Sequence, residues 1–165
     1  MKKVVIFGNS GSGKSTLAGQ LCQQEGLAHF DLDTIAWMAQ TPPQRRPLED
    51  SARELNAFVQ QHDGWVIEGC YADLVELALP ASTEIIFLDL PVQLCMDNAR
   101  RRPWEPHKYA SKQAQDANLD MLLDWIAQYE ERDDTFSRAA HVALFERYDG
   151  NKTIYTDNAR DAVSA

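Results

Sequence analysis

The chain has 165 residues, 44% of them apolar and 25% charged. Those proportions fit one ordinary globular domain with a single core and exclude disordered, collagen-like and low-complexity classes. Sixteen Lys and Arg against 25 Asp and Glu leave a formal charge of −9, which opposes general coating of nucleic acid and binding to anionic membrane surfaces.

Val4-Val5-Ile6-Phe7 is a short, β-branched apolar run, the pattern of a strand buried on both faces of a parallel sheet. Met1-Lys2-Lys3 resembles a basic leader start, but the apolar run after it is shorter than the roughly 7 to 15 residues a signal core needs. No apolar stretch reaches the roughly 18 residues of a membrane span. The expectation is a soluble cytoplasmic protein.

After Gly8 comes a glycine-rich loop, then a helical stretch over Ser15 to Gln24 that Gly26 terminates. A second strand fits Ala28 to Leu32, followed by Asp33 and an aromatic-bearing segment, Thr34 to Met38. Pro42 and Pro43 interrupt regular structure, and Pro47 opens a helix in which Leu48, Ala52, Leu55 and Val59 share a face. Trp65-Val66-Ile67-Glu68 and Glu84-Ile85-Ile86-Phe87-Leu88-Asp89 are further strands, each ending in a carboxylate. Pro91 opens a helix with Val92, Cys95, Met96 and Ala99 as its buried stripe, which runs into Arg100-Arg101-Arg102-Pro103. Leu119, Leu122, Ile126 and Tyr129 mark a long helix, and Phe136, Ala140, Leu144 and Tyr148 another; Thr153 to Thr156 is the fifth strand. Trp37, Trp65 and Trp125 read as core residues.

Cys22, Cys70 and Cys95 form no CxxC pair, and His29, His62, His107 and His141 have no metal-ligand spacing, so neither a disulfide framework nor a zinc site is expected. Strands alternating with helices argue for a parallel sheet covered on both faces. Ligands of such folds bind beyond the carboxyl ends of the strands, where Gly8, Asp31, Asp33, Glu68 and Asp89 fall.

Gly8-Asn9-Ser10-Gly11-Ser12-Gly13-Lys14-Ser15, followed by Thr16, matches the Walker A pattern G-x-x-x-x-G-K-[ST]. A chance match in a chain of this length has odds on the order of one in two hundred, and the match lies between a strand and a helix, as the motif requires. Glycines let backbone N–H groups turn toward phosphate oxygens, and the helix N-terminus adds partial positive charge. The motif assigns Lys14 to the β- and γ-phosphates and the Ser15 hydroxyl to Mg²⁺. No guanine-reading Asn-Lys-x-Asp tetrapeptide occurs, which disfavours a GTPase switch and leaves the P-loop kinases closest in size and layout.

Taken in order, GNSGSGKST, HFDLDTIAW, WVIEGCY, IIFLDLPVQLC and the arginine run resemble the adenylate kinase and shikimate kinase-like superfamily, and within it the small adenylate-kinase-related proteins described as topology-modulation proteins. The resemblance spans Val4 to about Thr156. It implies a single three-layer α/β P-loop NTPase domain with a five-stranded parallel sheet in the order 2-3-1-4-5. It further implies ATP and Mg²⁺ as cofactors and a small-molecule phosphate acceptor: a nucleotide, a nucleoside or a hydroxylated metabolite.

In that order the third strand neighbours the P-loop strand, so the resemblance implies that Glu68 supports Mg²⁺ through water, with Asp31 as a second support. Asp89 then belongs to the helix that follows it, near a helix N-terminus that favours a carboxylate. Asp31-Leu32-Asp33 resembles the D-x-D of shikimate and gluconate kinase-like enzymes, which casts Asp33 as the group that orients the acceptor hydroxyl and takes its proton; a turn pair with a helix cap is the other reading. Arg101 and Arg102, with Arg100 beside them, match the lid, about 100–110, whose arginines clamp the transferring phosphoryl group. A solvated helix end is the alternative for any one of them. Arg45, Arg46 and Arg53 fall in the acceptor-binding segment, about 33–63. The other functional class left open is a nucleotide-dependent regulator or weak ATPase acting on a macromolecule.

Overall fold

The computed structural model of the chain describes residues 1–159. The first strand, β1 (Lys3–Gly8), is the centre of the fold, with Val4 to Phe7 fully buried. Helix α1 (Lys14–Glu25) ends at Gly26, whose left-handed φ of 66° turns its N–H back to the Cys22 carbonyl at 2.9 Å. Strand β2 (Ala28–Asp31) leads into a single helical turn, α2 (Asp33–Ala36). A small antiparallel hairpin follows, β3 (Trp37–Met38) with β4 (Gln44–Arg45), before α3 (Leu48–Gln61) begins behind Pro47.

Strand β5 (Trp65–Gly69) is buried along its length and is followed by α4 (Ala72–Ala78) and a short 3-10 turn at Leu79–Ala81. Next come β6 (Glu84–Leu88) and α5 (Val92–Arg100). Helices α6 (Lys112–Ala127) and α7 (Arg138–Arg147) are each started by a serine: Ser111 and Ser137 accept hydrogen bonds from the backbone N–H groups of Ala114 and Ala140. Such caps contribute about 1 kcal/mol apiece. The last strand is β7 (Asn151–Tyr155).

The sheet runs β2-β5-β1-β6-β7 with every pair parallel. Counted along the five sheet strands, that is the expected order 2-3-1-4-5. Period-two alternation divides the core. Val5, Phe7, Trp65, Ile67, Ile85 and Phe87 face α2, α3, α4 and α7, whereas Val4, Ile6, Val66, Ile86 and Leu88 face α1, α5 and α6. The result is a three-layer α/β domain. The register sets Phe7 opposite Gly69 and Phe87, and Asp31 opposite Glu68, so the carboxyl ends of β1, β2 and β5 meet at one edge. Among the described residues no helix is long and apolar enough to cross a membrane.

The structure differs from the sequence pattern at several points. Helix α4 carries only Leu74, Val75 and Ala78 as a buried stripe beside Ala72, too short a periodic run to separate from a loop. Helix α6 starts at Lys112, well before its first apolar marker, because its first turns are polar and Ser111 caps them. Tyr129 lies just beyond its end. Trp37, expected in the core, is 41% exposed; it sits in the hairpin, outside the sheet. Trp65 is fully buried as expected.

Candidate active site

The loop between β1 and α1 is shaped by glycine. Gly11 and Gly13 have φ of 80° and 92°, a region that side chains resist. A Cβ at Gly11 would collide with the carbonyl oxygen of Cys95 in α5, and one at Gly8 would come within 2.5 Å of the Leu88 carbonyl oxygen. The loop is pinned from outside as well. Asn9 Nδ2 donates to the Ile126 carbonyl at 3.3 Å, and Asn98 Nδ2 donates to the Gly11 carbonyl at 2.8 Å. Gly11→Ala should therefore cost about 2–4 kcal/mol of stability from combined strain and collision, read as a lowered urea midpoint.

Polar groups of this loop are turned inward or left uncapped by the protein. No side chain caps the N-terminus of α1, so its first-turn N–H groups are open to an anion. The Ser12 hydroxyl is fully buried and has no hydrogen-bond partner among the described residues. Lys14 Nζ folds back to donate to the Asn9 carbonyl at 2.7 Å. These features fit a triphosphate held by backbone donors and one lysine.

Ser15, the first residue after Lys14, donates its hydroxyl hydrogen to Glu68 Oε2 at 2.7 Å, which leaves lone pairs on the Ser15 oxygen free. Glu68 is 2% exposed, and the same carboxylate oxygen lies 2.9 Å from His29 Nε2. The hydrogen bond to Glu68 raises the His29 pKa above its ordinary value, against the effect of burial. Among the described residues no group of three His, Cys, Asp or Glu side chains is disposed to hold a metal. A protein-only metal cage is thus absent there, whereas the Ser15, Glu68 and Asp31 set fits Mg²⁺, which keeps several waters and shares substrate phosphate oxygens.

Asp31 is crowded by like charge. Burial, followed by the charges of Glu68 and Asp33, pushes its carboxyl up to about 6; the backbone N–H of Asp33 and the ammonium of Lys108 offset this in part. A raised carboxyl pKa means that the folded state holds the proton more tightly than the unfolded chain. Its contribution is favourable below the unfolded value near 4 and is lost as pH rises through about 6. Asp31→Asn should therefore stabilise the ligand-free protein by roughly 1–3 kcal/mol at pH 8 and by little at pH 4. Urea unfolding at the two pH values checks this.

Asp33 stands at the first turn of α2 beside a cation from the opposite wall. Lys108 Nζ lies 3.0 Å from Asp33 Oδ2, 3.6 Å from Glu105 Oε2 and 3.9 Å from Asp31 Oδ2. The other Asp33 oxygen, Oδ1, accepts a hydrogen bond from the Tyr71 hydroxyl. Burial alone would raise the Asp33 pKa, but the Lys108 charge and the hydrogen bonds from Tyr71 and Lys108 outweigh it and hold the carboxyl below its usual range. Asp33 is ionised at neutral pH.

A cleft of about 600 Å³ is lined by the P-loop, by Asp31, Asp33 and Glu68, and by Arg101, Arg102 and Lys108. Arg101 Nε donates to the Asp97 carbonyl at 3.3 Å, and Arg102 Nε lies 3.2 Å from Glu105 Oε1. Arg100 pairs with Asp97 at 2.9 Å and is not among the residues lining the cleft. Of the three consecutive arginines, the second and third face the site.

The three arginines of segment 33–63 are placed elsewhere. Arg45 Nη2 donates to both carboxylate oxygens of Asp73, at 3.2 and 3.1 Å. Arg46 pairs with Glu54 at 2.9 Å, and Arg53 with Asp50. None of them lines the cleft. Asp89 accepts from Arg138 Nε at 2.9 Å and Nη2 at 2.7 Å, which ties the start of α7 to the end of β6. It makes no cap to the following helix. Lys108, Glu105 and Tyr71 went unread in the sequence; Lys108 and Glu105 lie inside the segment about 100–110, and Tyr71 three residues past the carboxylate that ends β5.

No family model and no curated protein matches the chain. Solved structures match along nearly all of it. Shikimate kinase from Acinetobacter baumannii, in complex with shikimate, aligns with a TM-score of 0.59 at 16% identity over 96% of this chain and 86% of that one. Shikimate kinase from Bacteroides thetaiotaomicron gives 0.54 at 17% identity, over 98% and 90%. A gluconokinase from Sinorhizobium meliloti 1021 gives 0.51 at 17% identity, over 96% and 84%. The chain has the fold of these P-loop kinase structures.

Proposed function

We propose that the protein is an ATP-dependent kinase that transfers the γ-phosphoryl group to a hydroxyl of a small molecule. The observation that carries the reading is the shared cleft: the Walker A loop and Asp33 open into the same space, and Arg101 and Arg102 line it between them. The similarity in fold to shikimate kinase and gluconokinase structures supports it.

In this reading Lys14 and the N–H groups of residues 8–16 hold the β- and γ-phosphates. Ser15, with Glu68 and Asp31 through water, would hold Mg²⁺, which neutralises charge on the phosphate oxygens. Asp33 orients the acceptor hydroxyl and takes its proton as the new O–P bond forms; the bond from the γ-phosphorus to the bridging oxygen breaks, and ADP leaves. Arg101 and Arg102 stabilise the charge on the transferring group and, with the lid over them, keep water from competing. Arg45, Arg46 and Arg53 contribute indirectly, by fixing the hairpin and α3 that frame the acceptor side.

Incubation with γ-labelled ATP, Mg²⁺ and a panel of nucleotides, nucleosides and hydroxylated metabolites tests the reading. A kinase shows little turnover until an acceptor is present and then yields a labelled product. Slow release of labelled phosphate regardless of acceptor contradicts the reading and favours a nucleotide-dependent regulator.

A further inference from the structure

Tyr71 takes no part in the scheme above, yet it touches its central carboxylate. The residue follows β5 and is 3% exposed. Trp37 Nε1–H donates to the Tyr71 oxygen at 2.8 Å, and the Tyr71 hydroxyl donates to Asp33 Oδ1. Chemistry fixes the direction of this chain. An indole N–H can only donate and an ionised carboxylate can only accept, so the single proton of Tyr71 must point at Asp33. With Oδ1 so engaged, Oδ2 is the oxygen that meets Lys108 at 3.0 Å.

The far end of the chain is braced. The Trp37 ring lies nearly parallel to Phe136 at 6.5 Å between centroids. The Arg45 guanidinium sits 5.9 Å from the Trp37 ring centre, 5.1 Å from that of Tyr71 and 5.7 Å from that of Phe136. Asp73 holds the same guanidinium by its two oxygens. Trp37 is therefore exposed in part but not free to turn, and the arginine beside it serves as its clamp.

We propose that Trp37 and Tyr71 are positioning residues: a two-step hydrogen-bond relay that fixes the rotation of the Asp33 carboxylate, presents Oδ2 alone to the cleft and so also seats Lys108 of the lid. The catalytic part of this inference rests on the kinase reading; the link from Tyr71 to the lid does not. Without the Tyr71 hydroxyl, Oδ1 loses its donor, the carboxylate gains freedom about χ2, and the ion pair to Lys108 loosens.

Amide hydrogen exchange of the ligand-free full chain tests the relay. Tyr71→Phe and Lys108→Met should each raise exchange across 100–110 by roughly three- to tenfold, while the amides of β5 and β6 keep their protection. The double variant should exchange no faster than Lys108→Met alone, because both changes break one chain of contacts. Unchanged lid exchange in Tyr71→Phe, or effects of the two changes that multiply, would overturn the proposal. Should Tyr71→Phe also loosen β5 and β6, Trp37→Phe decides, since it leaves Tyr71 packed: faster lid exchange supports the relay and unchanged exchange overturns it. In label transfer from γ-labelled Mg·ATP to a hydroxyl compound that the acceptor panel shows to be labelled, Tyr71→Phe should lower kcat with KM for ATP unchanged; a raised KM or an intact kcat contradicts positioning. Lys14→Ala that transfers label like the wild type would instead contradict the kinase reading and leave the lid result standing.

Discussion

Lys14→Ala should reduce phosphoryl transfer on the order of a thousandfold, the cost of removing one pre-oriented charge from the reacting phosphates. The loss should be specific to chemistry and nucleotide binding. Lys14 is only partly buried, and it hydrogen-bonds to the Asn9 carbonyl, so the variant should unfold within about 1 kcal/mol of the wild type. Label transfer from γ-labelled ATP and urea unfolding, measured side by side, separate the two quantities. Turnover like that of the wild type would remove the P-loop from the reaction.

Asp33→Asn should lower turnover by roughly a hundred- to ten-thousandfold, the range for loss of a positioned general base, and should leave Mg·ATP affinity close to that of the wild type. The asparagine oxygen can still accept from Tyr71, so the side chain keeps its place. What it lacks is the charge that meets Lys108 and the capacity to take a proton. The lowered pKa of Asp33 keeps the carboxylate ionised throughout the neutral range, so the wild-type rate should carry no inflection from this group above pH 6. Weakened ATP binding with unchanged turnover would move Asp33 out of the acceptor site.

The parts of the fold that the sequence made plain are those written in local pattern. The wholly apolar run Val4 to Phe7, the glycines at 8, 11 and 13, and the carboxylates ending β2 and β5 each carry a short-range signal for a buried strand, a phosphate loop or a strand edge. The place of Glu68 next to the P-loop strand followed from the strand order that the resemblance supplied, which sets β5 beside β1; the direct hydrogen bond from Ser15 to Glu68 is seen only in the folded chain. Other features depend on distances no spacing encodes. Arg45 and Arg46 lie in a segment rich in proline and charge, but only the folded chain shows that Asp73 and Glu54 take them up; Arg53 pairs with Asp50 three positions earlier in α3, a spacing that the sequence does display. Asp89 ends a strand just as Glu68 does, and its separate task emerges only when Arg138, 49 positions later, arrives beside it. The role of Lys108 was hidden for the same reason. One lysine in segment 100–110 carries no signal in sequence, and its place beside Asp31 and Asp33 is a property of how that segment lies over the sheet edge.

In the proposed kinase, residues 8–16 hold the triphosphate of Mg·ATP and aim its γ-phosphorus into the cleft that Asp33 shares. A crystal structure of the full chain with Mg²⁺ and a non-hydrolysable ATP analogue decides this. The phosphates should lie cradled by the N–H groups of that loop with Lys14 on the β- and γ-oxygens, a metal should stand at the Ser15 hydroxyl on the Glu68 side, and Arg101 or Arg102 should turn toward the γ-phosphate. A nucleotide bound away from the loop, or a metal resting on Asp89 with Ser15 still bonded only to Glu68, would contradict it.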